Sequence, residues 1–246
     1  GKQTVRFCGV DLRSVHPALS IEKEYPPGMP DRDVYTIAGT DGETVVGYAV
    51  TQGEYKVNVN IAARRREDGW RIRALLAAWA AASGRSTGEL EPTHWPGIAY
   101  DAIVKSIGAP EFVFGFAKEE VIFLLPRPLA HDLAYTSATG QGRATLSIGG
   151  SAECRPTVAQ TLAAARDGVA WTLDGREMLH VNGAFSAGQK LAVDFATGAV
   201  TLDGTHIENR LNVDRSSFVP GFTPGVHTLA SGDGGSLTAR WRCEWV

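Results

Sequence analysis

Tyr55, Val57, Val59 and Ile61 alternate with polar residues, the two-residue period of a strand with one face buried. The same alternation runs from Leu19 to Tyr25 and ends at Pro26-Pro27-Gly28-Met29-Pro30, a stretch that neither strand nor helix absorbs and that reads as a loop. Thr4 to Leu12 alternates and turns at Gly9, a short hairpin. Val34 to Ile37 and Thr44 to Tyr48 flank an apparent turn at Gly39-Thr40-Asp41-Gly42. Strands are expected around Ile98 to Lys105 and Glu111 to Phe116. The unbroken apolar run Val121 to Leu125, stopped by Pro126-Arg127-Pro128, has the pattern of a fully buried strand.

One segment follows a different period. From Gly69 to Ser83 the apolar residues Ile72, Leu75, Leu76 and Trp79 fall at helical spacing in an alanine-rich run. Asp68 is placed to cap its start and Gly84 to stop it. After about Gly140 the texture changes to short strands separated by Asp174-Gly175, Asn182-Gly183, Thr197-Gly198 and Asp203-Gly204. Asn-Gly and Asp-Gly pairs supply the positive φ angles of hairpin turns. Only Thr161 to Arg166 hints at a helix there. Strands at intervals of about 8–12 residues predict a β-sandwich or jelly roll. The fold class is therefore mainly β: a β-rich N-terminal domain with one helix at about 69–83, residues 1–133, and a C-terminal sandwich, residues 134–246.

Composition narrows the function classes. The chain of 246 residues is 43% hydrophobic and 21% charged, ordinary for a globular protein. Its formal charge of −3 lacks the basic excess of a dedicated nucleic-acid binder. No stretch approaches the roughly 20 apolar residues that cross a bilayer. The first residues lack the pattern of a secretory signal, so synthesis in the cytosol is expected. Cys8, Cys154 and Cys243 show no CxxC spacing; reduced, mostly buried thiols are expected, with a disulfide open to one pair only.

Candidate chemistry is sparse. His16, His94, His131, His180, His206 and His227 stand apart from one another and from cysteine at metal-binding spacing. No Gly-x-Ser-x-Gly, His-Glu-x-x-His or phosphate-loop motif occurs. Glu22/Glu24 and Asp31/Asp33 are paired carboxylates beside loop signals, read as solvated unless they face one cleft. No enzyme activity and no cofactor are expected. Arg64-Arg65-Arg66-Glu67-Asp68 is either a solvated turn or a contact with a neighbouring subunit or an acidic ring. Trp171, Trp241 and Trp245 are either sandwich core, an inter-domain seam, or an aromatic platform for stacking sugars.

The order of these pieces is more specific than any one of them. A β-rich start with the Gly39–Gly42 turn precedes a helix ending near Trp79. Then come Gly88-Glu89-Leu90, Trp95-Pro96 to Tyr100, a strand into Pro126-Arg127-Pro128, and an all-β module. Within that module, Leu191 to Gly204 contains a strand, the Asp194-x-x-Thr197-Gly198 turn and a second strand. Phe218-Val219-Pro220-Gly221-Phe222 and Gly234 to Arg242 follow, and a second Pro-Gly pair stands at Pro224-Gly225. This resembles the distal tail protein family of siphophages. The resemblance implies an N-terminal domain forming a homohexameric ring at the tail tip and a C-terminal galectin-like β-sandwich. Its implied partners are the tail-tube protein, the tail-tip hub or tail-associated lysin, and receptor-binding proteins, with no membrane contact. DNA would pass through the ring without specific binding. The protein would reside in the virion after assembly in the bacterial cytoplasm. The alternative is a carbohydrate-binding module for adhesion to the host cell wall.

Overall fold

The computed structural model describes residues 4–28, 33–35, 44–47, 52–217 and 221–246. Its strands and helices follow in the order β1 (Arg6–Phe7), β2 (Val10–Asp11), α1 (Leu12–Val15), β3 (Leu19–Tyr25), β4 (Asp33–Tyr35), β5 (Thr44–Gly47), β6 (Gly53–Ala62), α2 (Arg66–Ala80), β7 (Gly88–Glu91), β8 (Ile98–Ile107), β9 (Phe116–Leu125) and β10 (Ala130–Asp132). They continue with β11 (Thr136–Gln141), β12 (Arg143–Ile148), β13 (Thr157–Thr161), β14 (Arg166–Leu173), β15 (Arg176–Phe185), β16 (Lys190–Asp194), β17 (Ala199–Leu202), β18 (Thr205–His206), β19 (Gly225–Ser231), β20 (Ser236–Trp241) and β21 (Glu244–Trp245). Two compact units result, residues 1–131 with Val246, and residues 132–245. The chain is mainly β, as its patterning indicates.

In the first unit the strands lie in the order β2-β1-β7-β8-β9-β6-β3. The alternation in β6 is realised in full, with Tyr55, Val57, Val59 and Ile61 all at 0% exposure. Helix α2 contacts β6 and β9 and buries Ile72, Leu76, Trp79 and Ala80. Trp79 meets Phe7 and Phe123 edge-on, and its indole N–H donates to the Val10 carbonyl at 2.9 Å. A second tie is ionic. Arg73 reaches from the helix to Glu119 on β9 at 3.1 Å, where the carboxylate side chain is fully buried, and also donates to the Gly108 carbonyl at 3.0 Å. Burial raises the Glu119 pKa, while the Arg73 guanidinium pulls it back.

The second unit is a sandwich of two sheets. One has the order β11-β20-β13-β16-β17-β18 and the other β12-β19-β14-β15. Leu146, Val169, Trp171, Val181 and Leu229 from the smaller sheet share one core with Val158, Leu191, Val193, Leu237 and Trp241 from the larger. Inside it lies a polar chain: the Trp171 indole N–H donates to Gln160, and Gln160 donates to Ser231 at 2.7 Å and to Asp233. Gln160 is 0% exposed, so its donors and acceptor require these partners. Asp174-Gly175 and Asp203-Gly204 turn their hairpins with φ of 51°, 81°, 50° and 82°. At the Asp174 turn, His227 Nδ1 lies 2.7 Å from Asp174 and Nε2 lies 2.8 Å from the Thr223 carbonyl. Two acceptors call for two N–H donors, and the Asp174 carboxylate raises the His227 pKa accordingly.

Several sequence expectations are corrected. Helix α2 begins at Arg66 with Arg65 as its cap, so Asp68 sits in the first turn beside Glu67. There both carboxylates face the positive end of the helix dipole without capping it. The helix ends at Ala80, and Gly84 closes the following turn at φ +64°. Leu75 is 45% exposed and lies off the buried stripe. Glu111 to Phe116 is no strand; Val113 and Phe116 instead close a two-residue turn ahead of β9. The run Val121 to Leu125 is half-buried, because Ile122 and Leu124 point to the face away from the core. Thr161 to Arg166 forms no helix. Asn182-Gly183 is not a turn but lies inside β15, beside a register irregularity opposite Gly168. Cys8 is exposed, at φ 49° in the β1–β2 turn, whereas Cys154 and Cys243 are buried free thiols. The Gly39–Gly42 turn, the Met29-Pro30 end of the proline-rich loop and Phe218-Val219-Pro220 lie outside the described residues.

Candidate assembly surface

The arginine run and the start of β9 come together through backbone pairing. Ala62 on β6 is registered with Phe116 on β9, and the Ala63 N–H donates to the Gly115 carbonyl at 3.0 Å. Arg64, Arg65 and Arg66 therefore emerge beside the turn Val113-Phe114-Gly115-Phe116. All three arginines are exposed. Among the described residues, none of them forms a salt bridge.

The turn is unusual for its residue. Phe114 has φ +51° and Gly115 φ +85°, the pairing of left-handed angles that normally selects Asn-Gly or Asp-Gly. Phenylalanine there carries backbone strain of about 1–2 kcal/mol, and its ring is 99% exposed. Val113 at 58% and Phe116 at 45% flank it, and Trp70 at 46% and Leu75 at 45% extend the apolar surface along α2. Trp70 stacks on Phe112 with centroids 5.1 Å apart. Phe112 in turn covers Gly69 so closely that a Cβ there would meet its ring at 2.3 Å. A cavity of about 350 Å³ opens alongside, lined in part by Ala18, Ala62, Ala63, Arg64, Ile72 and Leu75. The arrangement is an aromatic knob with a cationic flank on an apolar surface, the composition of a protein-binding patch.

Other candidate positions resolve differently. Glu22 and Glu24 both border a cavity of about 690 Å³, but each is committed. Glu22 pairs with Lys118, and Glu24 accepts from the Tyr55 hydroxyl at 2.5 Å and the Thr93 N–H at 3.1 Å. Burial and the Glu24 carboxylate raise the Tyr55 pKa, so the phenol stays a donor. The side chains of Asp31 and Asp33 lie outside the described residues. His131 lies 3.4 Å from Asp101, and Asp132 accepts from the Trp245 indole at 2.9 Å. No cluster of three or more His, Cys, Asp or Glu able to hold a metal occurs among the described residues. Trp171 and Trp241 are buried at 0% and 2% exposure. With no open ring face they cannot stack on a sugar. Trp245 is half-buried.

Comparison with known proteins adds the decisive observation. Residues 149–245 match the family model of the C-terminal domain of siphovirus-type tail components. The sandwich is thus similar in sequence to that domain. Over its whole length the chain also has the fold of the phage SPP1 Dit protein. The two share a TM-score of 0.78 and 16% identity, with 99% of each chain covered. Two structures of the phage P2 baseplate in its activated conformation align less closely. That with Ca has a TM-score of 0.49, 8% identity and coverage of 98% of this chain and 97% of the other; that with Sr has 0.47, 8%, 98% and 98%. No curated protein matches the chain in sequence.

Proposed function

We propose that the chain is a non-enzymatic distal tail subunit that works by assembly. Copies form a hexameric ring through the N-terminal domain, residues 1–133, and residues 134–246 form a galectin-like sandwich. The ring joins the tail tube to the tail-tip hub or tail-associated lysin and to receptor-binding proteins. It is built in the host cytoplasm and carried in the virion. The fold shared with SPP1 Dit supports this reading; that protein is described as a paradigm of the hub adsorption apparatus of phages infecting Gram-positive bacteria.

The observation that carries the proposal is the strained, fully exposed Phe114 beside three arginines that form no salt bridge among the described residues. Repetition around a ring multiplies each small contact. In this reading Arg64, Arg65 and Arg66 face a subunit interface or the exterior. Cations lining the lumen would hold DNA by releasing its counterions, and DNA in transit needs a channel that does not grip it. Reversing all three charges, Arg64→Glu, Arg65→Glu and Arg66→Glu, tests this. Helix α2 should survive, since acids favour a helix N-terminus. Assembly, followed by light scattering, should weaken and lose its dependence on salt. Unchanged assembly would place the arginines on idle surface.

A further inference from the structure

At one end of the sandwich an imidazole stands between two acceptors. His227 Nδ1 lies 2.7 Å from Asp174 Oδ2, Nε2 lies 2.8 Å from the Thr223 carbonyl, and the side chain is 12% exposed. A neutral imidazole has one N–H, so it satisfies one of these oxygens and turns a lone pair on the other. The imidazolium satisfies both. Asp174 is itself fixed: its Oδ1 accepts from the Thr228 N–H at 2.7 Å, and its own N–H donates to the Thr228 carbonyl at 2.9 Å. The movable party is the Thr223 carbonyl.

Thr223 belongs to segment 221–224, which leads into β19. Phe222 there is fully buried and packs on Phe195 with ring centroids 5.3 Å apart. Its carbonyl accepts from the Cys154 N–H at 3.0 Å, and the Gly221 N–H donates to Glu153 at 3.2 Å. Asp174 is the charged group that faces the imidazole from the β14–β15 turn. Arg176 and Glu177 follow it, and Glu177 is paired with Arg215 at 2.7 Å. On β12 the residue opposite His227 is Leu146, flanked by Thr145 and Ser147. Segment 221–224 carries no ionisable side chain, and the Glu153 carboxylate lies on its Gly221 end.

We propose that His227 is a proton-operated clasp: as the imidazolium it ties Asp174 to the Thr223 carbonyl and holds segment 221–224 against the sandwich, and on losing its proton it lets that carbonyl go. The Nδ1–H stays with the carboxylate, the stronger acceptor. Nε2 gives up its proton, and its lone pair then faces the Thr223 oxygen. The Asp174 hydrogen bond raises the His227 pKa above its ordinary 6.5. The stabilisation by the clasp is therefore complete below the ordinary value and is lost as pH rises through the folded one. The device lies within the sandwich and is independent of ring assembly.

Hydrogen exchange of the full chain, read by mass spectrometry from about pH 6 to about pH 9, tests both halves of the clasp. Exchange at the imidazole carbon gives the pKa of His227, and backbone exchange at Cys154 and across 221–228 reports the segment. Corrected for the intrinsic pH dependence of exchange, protection should fall about tenfold for each unit by which His227 titrates above its ordinary value. In His227→Ala the segment should be weakly protected, with no step on raising the pH. Asp174→Asn keeps an acceptor without the charge, and should move the titration of His227 and the step in protection down together. A His227 that titrates at or below its ordinary value, protection that is level across the range, a step that persists in His227→Ala, or a step that stays put in Asp174→Asn while the titration moves would each overturn the proposal.

Discussion

Replacing Arg73 with alanine is expected to cost the fold about 3 kcal/mol, near the lower bound for breaking a buried ion pair because Arg73 itself is 27% exposed. The loss comes from Glu119. Its side chain has no exposure, and Arg73 Nε is the partner of its Oε1. Without the guanidinium a buried charge stands uncompensated, and the Gly108 carbonyl loses a donor as well. The pH dependence follows from the raised Glu119 pKa. A carboxyl whose folded pKa lies above its unfolded value stabilises the fold below the unfolded value, and loses that contribution as pH rises through the folded one. In Arg73→Ala that rise is larger, so the deficit should be greatest at neutral pH and shrink on acidification through the carboxyl range. Urea midpoints between pH 4 and pH 7 read it directly, those limits being about the ordinary carboxylate pKa and neutrality. The double replacement Arg73→Leu with Glu119→Leu should recover most of the loss, since apolar packing often equals a buried pair. A midpoint for Arg73→Ala equal to that of the parent would show that the pair contributes nothing.

Phe114→Asn is expected to separate stability from assembly. Asparagine tolerates the left-handed angle and precedes Gly115, giving the residue pair that such turns favour. The exposed ring leaves almost no internal contact to lose, so the fold should keep its stability or gain up to about 1 kcal/mol. Burial of one Phe at an interface contributes about 1.5–3 kcal/mol, so association between copies should weaken about ten- to a hundredfold. Thermal melts and light scattering on the same samples give both readings. A destabilised fold with intact assembly would mean that Phe114 serves its own unit.

The two variants also mark where sequence reading succeeds and where it stops. Strand β6 is legible because each apolar residue lies two from the next and all four are buried. Helix α2 is legible in its stripe but not in its start, since Arg65 at the capping position carries no capping signal and the acids that suggest one lie inside the first turn. Asp174-Gly175 turns a hairpin while Asn182-Gly183 does not. The difference is the pairing with β14, where Asn182 and Gly183 together oppose the single Gly168, so the pair is absorbed as a bulge within β15. Trp171 is core because Gln160 waits beneath it, a buried amide that in sequence looks like any polar alternate of a strand. The docking knob was hidden for a related reason. Glu111 to Phe116 has strand-like composition, and only the pairing of Val113 with Phe116 turns Phe114 outward. Arg64, Arg65 and Arg66 are visible as a charge run, but Phe114 and Phe116 reach them only through the pairing of Ala62 with Phe116 and are distant in the chain.

The most direct test of the assembly reading is the mass of the purified protein in solution, by native mass spectrometry at low and at physiological salt. A closed particle of six chains, each of 26.3 kDa, is the expected result. A single chain at every concentration, showing turnover of a small molecule, would contradict it.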